Sequence, residues 1–256
     1  MLLFFDTETT GLPTRRGASA SDVRVWPRVV QIAWILTDRS GRRRESANYI
    51  IKPAGYVIPD EAARIHGITT SRARADGSRI SLVLKEFEAA VRKCSVVVAH
   101  NTDFDLNVIT AELIRRRVPT HIGRKGSVCT MTAGTDFCQL PGGRYGQYKW
   151  PTLAELHRRL FGRTPRLLHN AAWDVRACMR SYFELQRLGL LPEAFDDDID
   201  DPRELIDEIL ELSADRDWFD TAFVEDVAAQ LEDRGNITTN QHESLIRIRD
   251  MLANAA

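Results

Sequence analysis

The chain has 256 residues, of which 43% are hydrophobic, and this content is enough for one substantial core with an appendage. It contains no run of 18 apolar residues, which argues against a membrane span, and Met1–Phe5 is too short for a signal-peptide core. The cysteines lack paired short spacings, so we expect reduced thiols in a cytoplasmic protein. They are Cys94, Cys129, Cys138 and Cys178.

Charge divides the chain into two parts. Residues 1–192 carry 30 basic and 17 acidic side chains, whereas residues 193–256 carry 5 basic and 19 acidic ones. A basic body favours a polyanionic partner, usually nucleic acid, although a solvated surface of biased composition is the alternative. We therefore predict a domain at 1–192 and a separate acidic helical module at 193–256.

The first predicted strand, Met1–Phe5, runs directly into two acids, Asp6 and Glu8. Because side chains alternate along a strand, both carboxylates point to the same side. Two like charges at that position are favourable only if a cation lies between them, and carboxylate oxygens suit Mg²⁺. Two solvated acids at a strand end are the alternative.

The remaining periodicity alternates strands with helices, and this order predicts an α/β sheet flanked by helices. Predicted strands are Val29–Thr37, Glu45–Lys52, Ser95–Ala99 and Val128–Met131, and Gly134–Lys149 is a predicted loop. Predicted helices are Pro59–His66, Ile80–Arg92, Phe104–Arg117, Pro151–Phe161, His169–Leu188, Pro202–Leu212, Thr221–Arg234 and Asn240–Leu252.

Polar residues also follow the later elements. Ser95–Ala99 runs into a polar segment in which Asp103 is placed to cap the next helix and Asp105 lies in its first turn. His169 stands five residues before Asp174, near the start of another helix. Polar groups at strand ends of an α/β sheet predict a shared site.

Converging carboxylates need positive charge to balance them. Asp6 and Glu8, one of Asp103 and Asp105, and Asp174 make four acids, and two divalent cations would absorb that charge. His169 is close enough to act as a general base on an attacking water, since histidine titrates near neutral pH. These roles together fit hydrolysis of a phosphodiester bond.

Three segments resemble, in order and spacing, the three motifs of the DEDDh family of 3′→5′ exonucleases, in particular its polymerase-proofreading members. The segments are Asp6–Gly11, His100–Asp105 and His169–Asp174, and the resemblance covers about residues 1–190. It implies a ribonuclease H-like fold and removal of nucleotides from 3′ ends with two Mg²⁺ or Mn²⁺ ions.

The resemblance also implies residue roles. The acid of the second motif falls on Asp105 and leaves Asp103 as the helix cap. The implied metal ligands and catalytic acids are Asp6, Glu8, Asp105 and Asp174, with His169 as general base. The implied contacts to the terminal nucleotide are Thr9, Thr10, Leu12, His66 and Asn101.

The resulting prediction is a metal-dependent exonuclease that acts on single-stranded DNA or DNA 3′ ends and releases nucleoside 5′-monophosphates. An RNA-directed exonuclease of the same family is one alternative, because only contacts to the 2′-hydroxyl distinguish the two substrates. A non-catalytic nucleic-acid-binding module is another. The acidic module is predicted to bind a protein partner such as a polymerase or a repair factor, to pack on the nuclease body, or to mimic the charge of DNA.

Several aromatic residues could either pack within the protein or stack on bases. Trp34 and Trp173 are predicted to lie in the core, since large aromatic side chains dominate burial. Trp26 and Trp150 fall in loops, where packing is favoured over base stacking. Tyr145 and Tyr148 stand beside Arg144 and Lys149, and such interleaving of aromatic and basic residues can bind single strands.

Overall fold

The computed structural model describes residues 1–143, 147–165, 169–191, 202–214, 216, 218–234 and 237–254. These residues form two compact units. The first comprises Met1–Ile122 and Ser127–Ala194, and the second comprises Gly123–Gly126 and Phe195–Ala256. Arg144 and Tyr145 lie outside the described residues, as do residues 192–201 around the predicted boundary between the domain and the acidic module.

A five-stranded mixed sheet organises the first unit, and this confirms the predicted fold class. The strand order is β3-β2-β1-β4-β5, with β1 antiparallel to β2, β2 antiparallel to β3, and β1 parallel to β4. The strands are β1 (Leu2–Thr9), β2 (Val29–Thr37), β3 (Arg43–Ile50), β4 (Val96–Ala99) and β5 (Gly126–Cys129).

Strand β1 is central because its first residues are apolar on both faces and can be covered on both. Phe4 pairs with Ile35 of β2 and with Val98 of β4. Phe4 and Phe5 are fully buried, and the pairing with β2 becomes irregular only between Glu8 and Thr9. The strand therefore stays paired through both acids and ends directly after them, at Thr9.

Helices cover the sheet of the first unit, and three more form the second. The first-unit helices are α1 (Asp60–His66), α2 (Thr70–Asp76), α3 (Ile80–Lys93), α4 (Thr102–Arg116), α5 (Thr130–Ala133), α6 (Thr135–Cys138), α7 (Leu153–Phe161) and α8 (Ala171–Arg187). The chain also forms a short 3₁₀ turn at Ile122–Arg124. The remaining helices are α9 (Pro202–Ser213), α10 (Ala222–Arg234) and α11 (Thr239–Asn254).

The main core lies where α3 and α4 pack on the sheet. Trp34 of β2 contacts Phe87 of α3 edge to face at 5.5 Å between ring centroids, and Phe5 lies 5.4 Å from the same ring. Such pairs add to the stabilisation that burial provides. The second unit has a core of its own, in which Leu205, Ile209, Val224, Leu245 and Leu252 are buried.

Some local predictions were wrong for identifiable reasons. Helix α2 was not predicted, and α5 and α6 occupy part of the predicted strand Val128–Met131 and loop Gly134–Lys149. Each of these helices has seven residues or fewer, so it contributes too little periodicity to be detected. Asp103 does not cap α4, because that helix already begins at Thr102 after Asn101 in the left-handed conformation.

Of the four tryptophans with a predicted environment, two are buried as predicted and two are not. Trp34 and Trp26 are buried as expected, whereas Trp173 is 42% exposed and Trp150 is 63% exposed. Trp173 lies on the outer side of α8 with the Arg176 guanidinium 5.2 Å from its ring centroid, so the core prediction for it was wrong. No helix within the described part of the chain is long and apolar enough to cross a membrane.

Candidate active site

Three of the predicted acids meet at the end of β1. Asp6, Glu8 and Asp174 each offer a carboxylate oxygen, and these oxygens lie within 4.8 Å of one another. Asp6 and Glu8 share one side of β1, as the period of a strand requires, and Asp174 comes from the first turn of α8. The sheet and one helix thus bring together residues that are more than 160 positions apart.

Side chains fix the start of α8, and with it Asp174. The Asn170 backbone N–H donates to Asp174 Oδ2 at 3.1 Å, and the Ala172 N–H donates to Asn170 Oδ1 at 3.2 Å. The Ala171 N–H donates to Oε1 of Gln31, at 3.3 Å. Gln31 is buried in β2 directly opposite Glu8. These bonds satisfy helix N–H groups that lack partners inside the helix.

Asp105 lies beside this cluster but outside the set of three. Its Oδ1 accepts hydrogen bonds from the Thr7 backbone N–H at 2.9 Å and from the Thr7 hydroxyl at 2.6 Å. These bonds hold the buried Asp105 carboxylate against β1. The charge of Asp105 nevertheless raises the pKa of Asp6, so the four acids form one electrostatic group.

Burial raises the pKa of every acid in this group, and repulsion from neighbouring acids adds to the effect for Asp6, Glu8 and Asp105. The pKa of Asp6 lies well above its ordinary value because of burial and the charges of Asp105, Asp174 and Glu8. Burial, followed by repulsion from Asp174, raises the pKa of Glu8 to about 8. Burial raises the pKa of Asp105 to about 7, although the Thr7 hydrogen bonds oppose it, and that of Asp174 to about 6. The ionised forms are therefore under-stabilised by the protein itself.

The donor set suits a hard divalent cation. No lysine or arginine pairs with any of the four acids among the described residues. Asp174 Oδ1 is buried and has no hydrogen-bond partner in the described part of the chain. A buried acceptor left without a donor is costly. Carboxylate oxygens are the preferred ligands of Mg²⁺ and Mn²⁺, so Asp6, Glu8 and Asp174 fit such an ion.

Two histidines lie near the end of β1. His169 is exposed, adopts a left-handed backbone with φ of 63°, and interacts with the charge of Asp174. His66 is buried at the end of α1, where its Nδ1 accepts the Ile68 N–H at 3.1 Å. Burial, and then the charge of His169, lower the pKa of His66. The two imidazoles are therefore neighbours.

The other predicted substrate contacts surround the turn after β1. The Thr9 hydroxyl donates to the Gly11 carbonyl at 2.6 Å, and the Thr10 hydroxyl accepts the Arg28 N–H at 2.9 Å. Leu12 is largely exposed beyond this turn, and Asn101 is exposed at the start of α4. Their contact with a nucleotide stays a prediction.

Sequence reasoning missed two residues that position this site. Gln31 interrupts the otherwise apolar segment VVQIAWILT, and a polar residue in a buried strand is a usable signal for a special partner. Thr7 stands between the two acids of β1 and offers no comparable signal. Its role becomes visible only when α4 brings Asp105 against it.

Comparison with known proteins agrees with this geometry. The profile of the exonuclease (RNase T) family matches residues 3–182, which contain the whole acid cluster. The chain belongs to this exonuclease family. Membership makes it a hydrolase of the nuclease class that binds nucleic acid.

Individual known proteins show how similar other sequences and structures are to this exonuclease. It is 28% identical over 179 residues to the DNA polymerase III epsilon subunit of Treponema pallidum, covering 70% of this chain and 73% of the relative. The fold is similar to that of Escherichia coli exonuclease I with a dT13 oligonucleotide (TM-score 0.58, 21% identity), over 73% of this chain and 42% of that one. The zinc-bound exonuclease I complex with single-stranded DNA has a TM-score of 0.55 at 22% identity, over 73% of this chain. The chain spans about two fifths of the length of exonuclease I.

Proposed function

We propose that this exonuclease is of the DEDDh type and removes nucleotides from the 3′ ends of DNA in the 3′→5′ direction, releasing nucleoside 5′-monophosphates. The observation that carries the proposal is the cluster of Asp6, Glu8 and Asp174, which has no basic partner among the described residues and stands beside His169. A protein that only bound nucleic acid would gain nothing from a repulsive acid cluster facing a polyanion.

Asp6, Glu8 and Asp174 would hold divalent cations, Mg²⁺ or Mn²⁺, with Asp105 supporting a second ion. When bound, such ions neutralise charge on the phosphoryl group and favour ionisation of an attacking water. The protein supplies the orientation. β1 fixes Asp6 and Glu8, Thr7 holds Asp105, and the capped start of α8 holds Asp174.

His169 is the proposed general base. An imidazole nitrogen would accept the proton of the attacking water, and the nearby Asp174 carboxylate would stabilise the imidazolium that forms. Thr9, Thr10, Leu12, His66 and Asn101 would contact the terminal nucleotide, since they border the same end of the sheet. The second unit, with its own helical core and strong acidity, is proposed as a separate module for a protein partner such as a polymerase or a repair factor.

Digestion of a 5′-labelled oligonucleotide tests the proposal. Single-stranded DNA and RNA of one sequence are incubated with Mg²⁺, with Mn²⁺ and with EDTA. We expect a ladder that shortens from the 3′ end of DNA in either metal and is absent in EDTA. Faster shortening of the RNA would reassign the substrate, and absence of cleavage under every condition would overturn the proposed activity.

The base assignment has its own test. His169→Ala should lower the rate about 10²–10⁴-fold, the usual contribution of a positioned general acid or base. His121→Ala removes another partly exposed imidazole, which bonds Glu88 instead of the acid cluster, and should leave the rate unchanged. Full activity of His169→Ala would show that another group takes the proton.

A further inference from the structure

The segment from Tyr148 to Thr152 is held in place at Lys149, Pro151 and Thr152. The Lys149 N–H donates to the Leu140 carbonyl at 2.8 Å, and the Lys149 ammonium pairs with Glu155 at 2.8 Å. Glu155 also accepts from the Thr152 N–H and hydroxyl in a capping box that starts α7. The backbone of this short segment is therefore well fixed.

His100 attaches the same segment to the strand ends that carry the site. Its Nε2 lies 3.0 Å from the Pro151 carbonyl, and its Nδ1 lies 3.0 Å from the Thr130 hydroxyl. A carbonyl only accepts, so Nε2 carries the proton. Burial lowers the pKa of His100 to about 4, which keeps the ring neutral near pH 7.

The register of the sheet places His100 at the same end of the sheet as the acids. Val98 of β4 pairs in parallel with Phe4 of β1, so His100 and Asp6 each follow their pair by two residues. The fixed segment is therefore attached, through His100, to the end of the sheet that carries the acid cluster.

This segment exposes two aromatic side chains. Trp150 is 63% exposed and Tyr148 is also exposed, and neither ring has an aromatic or cationic neighbour among the residues described. Lys149, which lies between them in the sequence, is engaged by Glu155. A fixed backbone that presents large apolar rings to water is a common property of binding surfaces.

The charge around these rings favours a polyanion. Residues 147–165 contain four basic side chains and one acidic side chain. The acid, Glu155, is already engaged by Lys149 and Thr152, whereas the remaining bases, Arg158, Arg159 and Arg163, are exposed. Exposed rings within a basic surface are the combination that binds unpaired bases together with their phosphates.

We propose that Tyr148 and Trp150 form a stacking platform for unpaired bases of single-stranded nucleic acid, upstream of the nucleotide being removed. The inference rests on the proposed function, which makes the bound strand a substrate, and on His100, which attaches the platform to the end of the sheet that carries the acid cluster. It adds a binding site that extends contact beyond the terminal nucleotide. Substrates long enough to reach the platform would bind more tightly than very short ones.

Binding without turnover tests the platform directly. Fluorescence anisotropy of a labelled oligothymidylate of about ten nucleotides, within the usual site size for single strands, is measured in EDTA. Trp150→Ala should raise Kd at least about fivefold, the lower end for loss of one base–aromatic stack. Trp150→Phe keeps a ring and should recover most of the affinity. Trp218→Ala, which removes a tryptophan that is 61% exposed in the second unit, is the matched control.

Hydrolysis of substrates of two lengths separates this inference from the proposed activity. For the wild type, kcat/KM should be higher on the longer oligothymidylate than on a dinucleotide, and Trp150→Ala should reduce that ratio about fivefold or more. Equal Kd values for Trp150→Ala and Trp218→Ala would overturn the platform even if both substrates are cleaved. Absence of cleavage by the wild type would overturn the activity and leave the binding measurement to decide the platform.

Discussion

Two buried acidic sites in the first unit differ in how their charge is balanced. Glu112 of α4 is 1% exposed, and its carboxylate pairs with Arg28 at 2.6 Å and with Arg115 at 3.1 Å. Asp6, Glu8 and Asp174 crowd within 4.8 Å, and no described arginine or lysine pairs with them. Arginines of the protein itself balance the charge of Glu112, whereas the charge of the acid cluster is balanced only when a cation binds.

The balanced site has a structural task. Arg115 donates to the backbone carbonyls of Val23, Pro27 and Trp26, the last at 2.6 Å. The Arg28 carbonyl and N–H both bond Thr10, in the turn that follows β1. Glu112 therefore anchors, through Arg28, the turn that follows β1. Asp6 and Glu8 lie on the strand that leads into this turn.

Neutralising one acid of the repulsive cluster should have the largest effect on activity. Asp6→Asn should abolish hydrolysis, because it removes a proposed cation ligand, and should not lower the melting temperature in EDTA, because it relieves repulsion. Asp103→Asn changes an exposed acid two positions from Asp105 and is the control that should keep activity. Equal activity of the two variants would contradict the assignment.

Glu112→Ala should instead act on stability. Removing one partner of a buried ion pair leaves its arginines unbalanced and costs about 3–5 kcal/mol. Denaturation by urea, followed by circular dichroism, measures the change. Glu45→Ala breaks the exposed pair with Lys93 and should cost only about 0–1 kcal/mol. Similar values for the two variants would remove the contrast between buried and exposed pairs.

Thr7→Val should have an intermediate effect on the metal affinity and activity of the acid cluster. It deletes the hydroxyl that donates to Asp105 and keeps the backbone N–H, so the pKa of Asp105 should rise further. Loss of a group that orients a metal ligand typically costs 10–100-fold, and we expect about that loss in metal affinity or activity. Thr7→Ser retains the hydroxyl and should behave like the wild type. Equal metal affinity and activity of Thr7→Val and Thr7→Ser would show that the Thr7 hydroxyl has no orienting role.

The smallest effect should be a dependence of stability on pH. The acids have pKa values raised from near 4 to about 6, about 7 and about 8, so the folded state binds more protons than the unfolded state across that range. Their contribution to the free energy of unfolding is full below about pH 4 and is lost as pH rises through these values. In EDTA the melting temperature should fall with pH over this window, and Mg²⁺ should flatten the slope. A slope unaffected by both Mg²⁺ and Asp6→Asn would contradict this origin.

The sequence predicts the parts of the site that depend on local geometry. The period of a strand placed Asp6 and Glu8 on one side, and the structure brings them together. The choice between Asp103 and Asp105 was not decided by periodicity, because both lie in the first turn of α4. It depended on the resemblance to a family motif, and the structure buries Asp105 beside the acid cluster and leaves Asp103 exposed.

Tertiary contacts explain what the sequence did not reveal. Glu112 is one acid among 36, and only its position four residues after the buried Val108 hinted at burial. Its arginine partners are three and 84 residues away, and only the fold brings the distant one close. Trp173 resembled a core residue by type, yet α8 turns it outward because its neighbour Asp174 faces the acids.

Direct measurement of metal binding tests the central claim that the uncompensated acids hold a divalent cation. Electron paramagnetic resonance of Mn²⁺ distinguishes free from bound ion during titration with wild type, Asp6→Asn and Asp103→Asn. We predict saturable binding by the wild type and by Asp103→Asn, and greatly weakened binding by Asp6→Asn. Binding by Asp6→Asn equal to that of the wild type would show that this cluster is not the cation site.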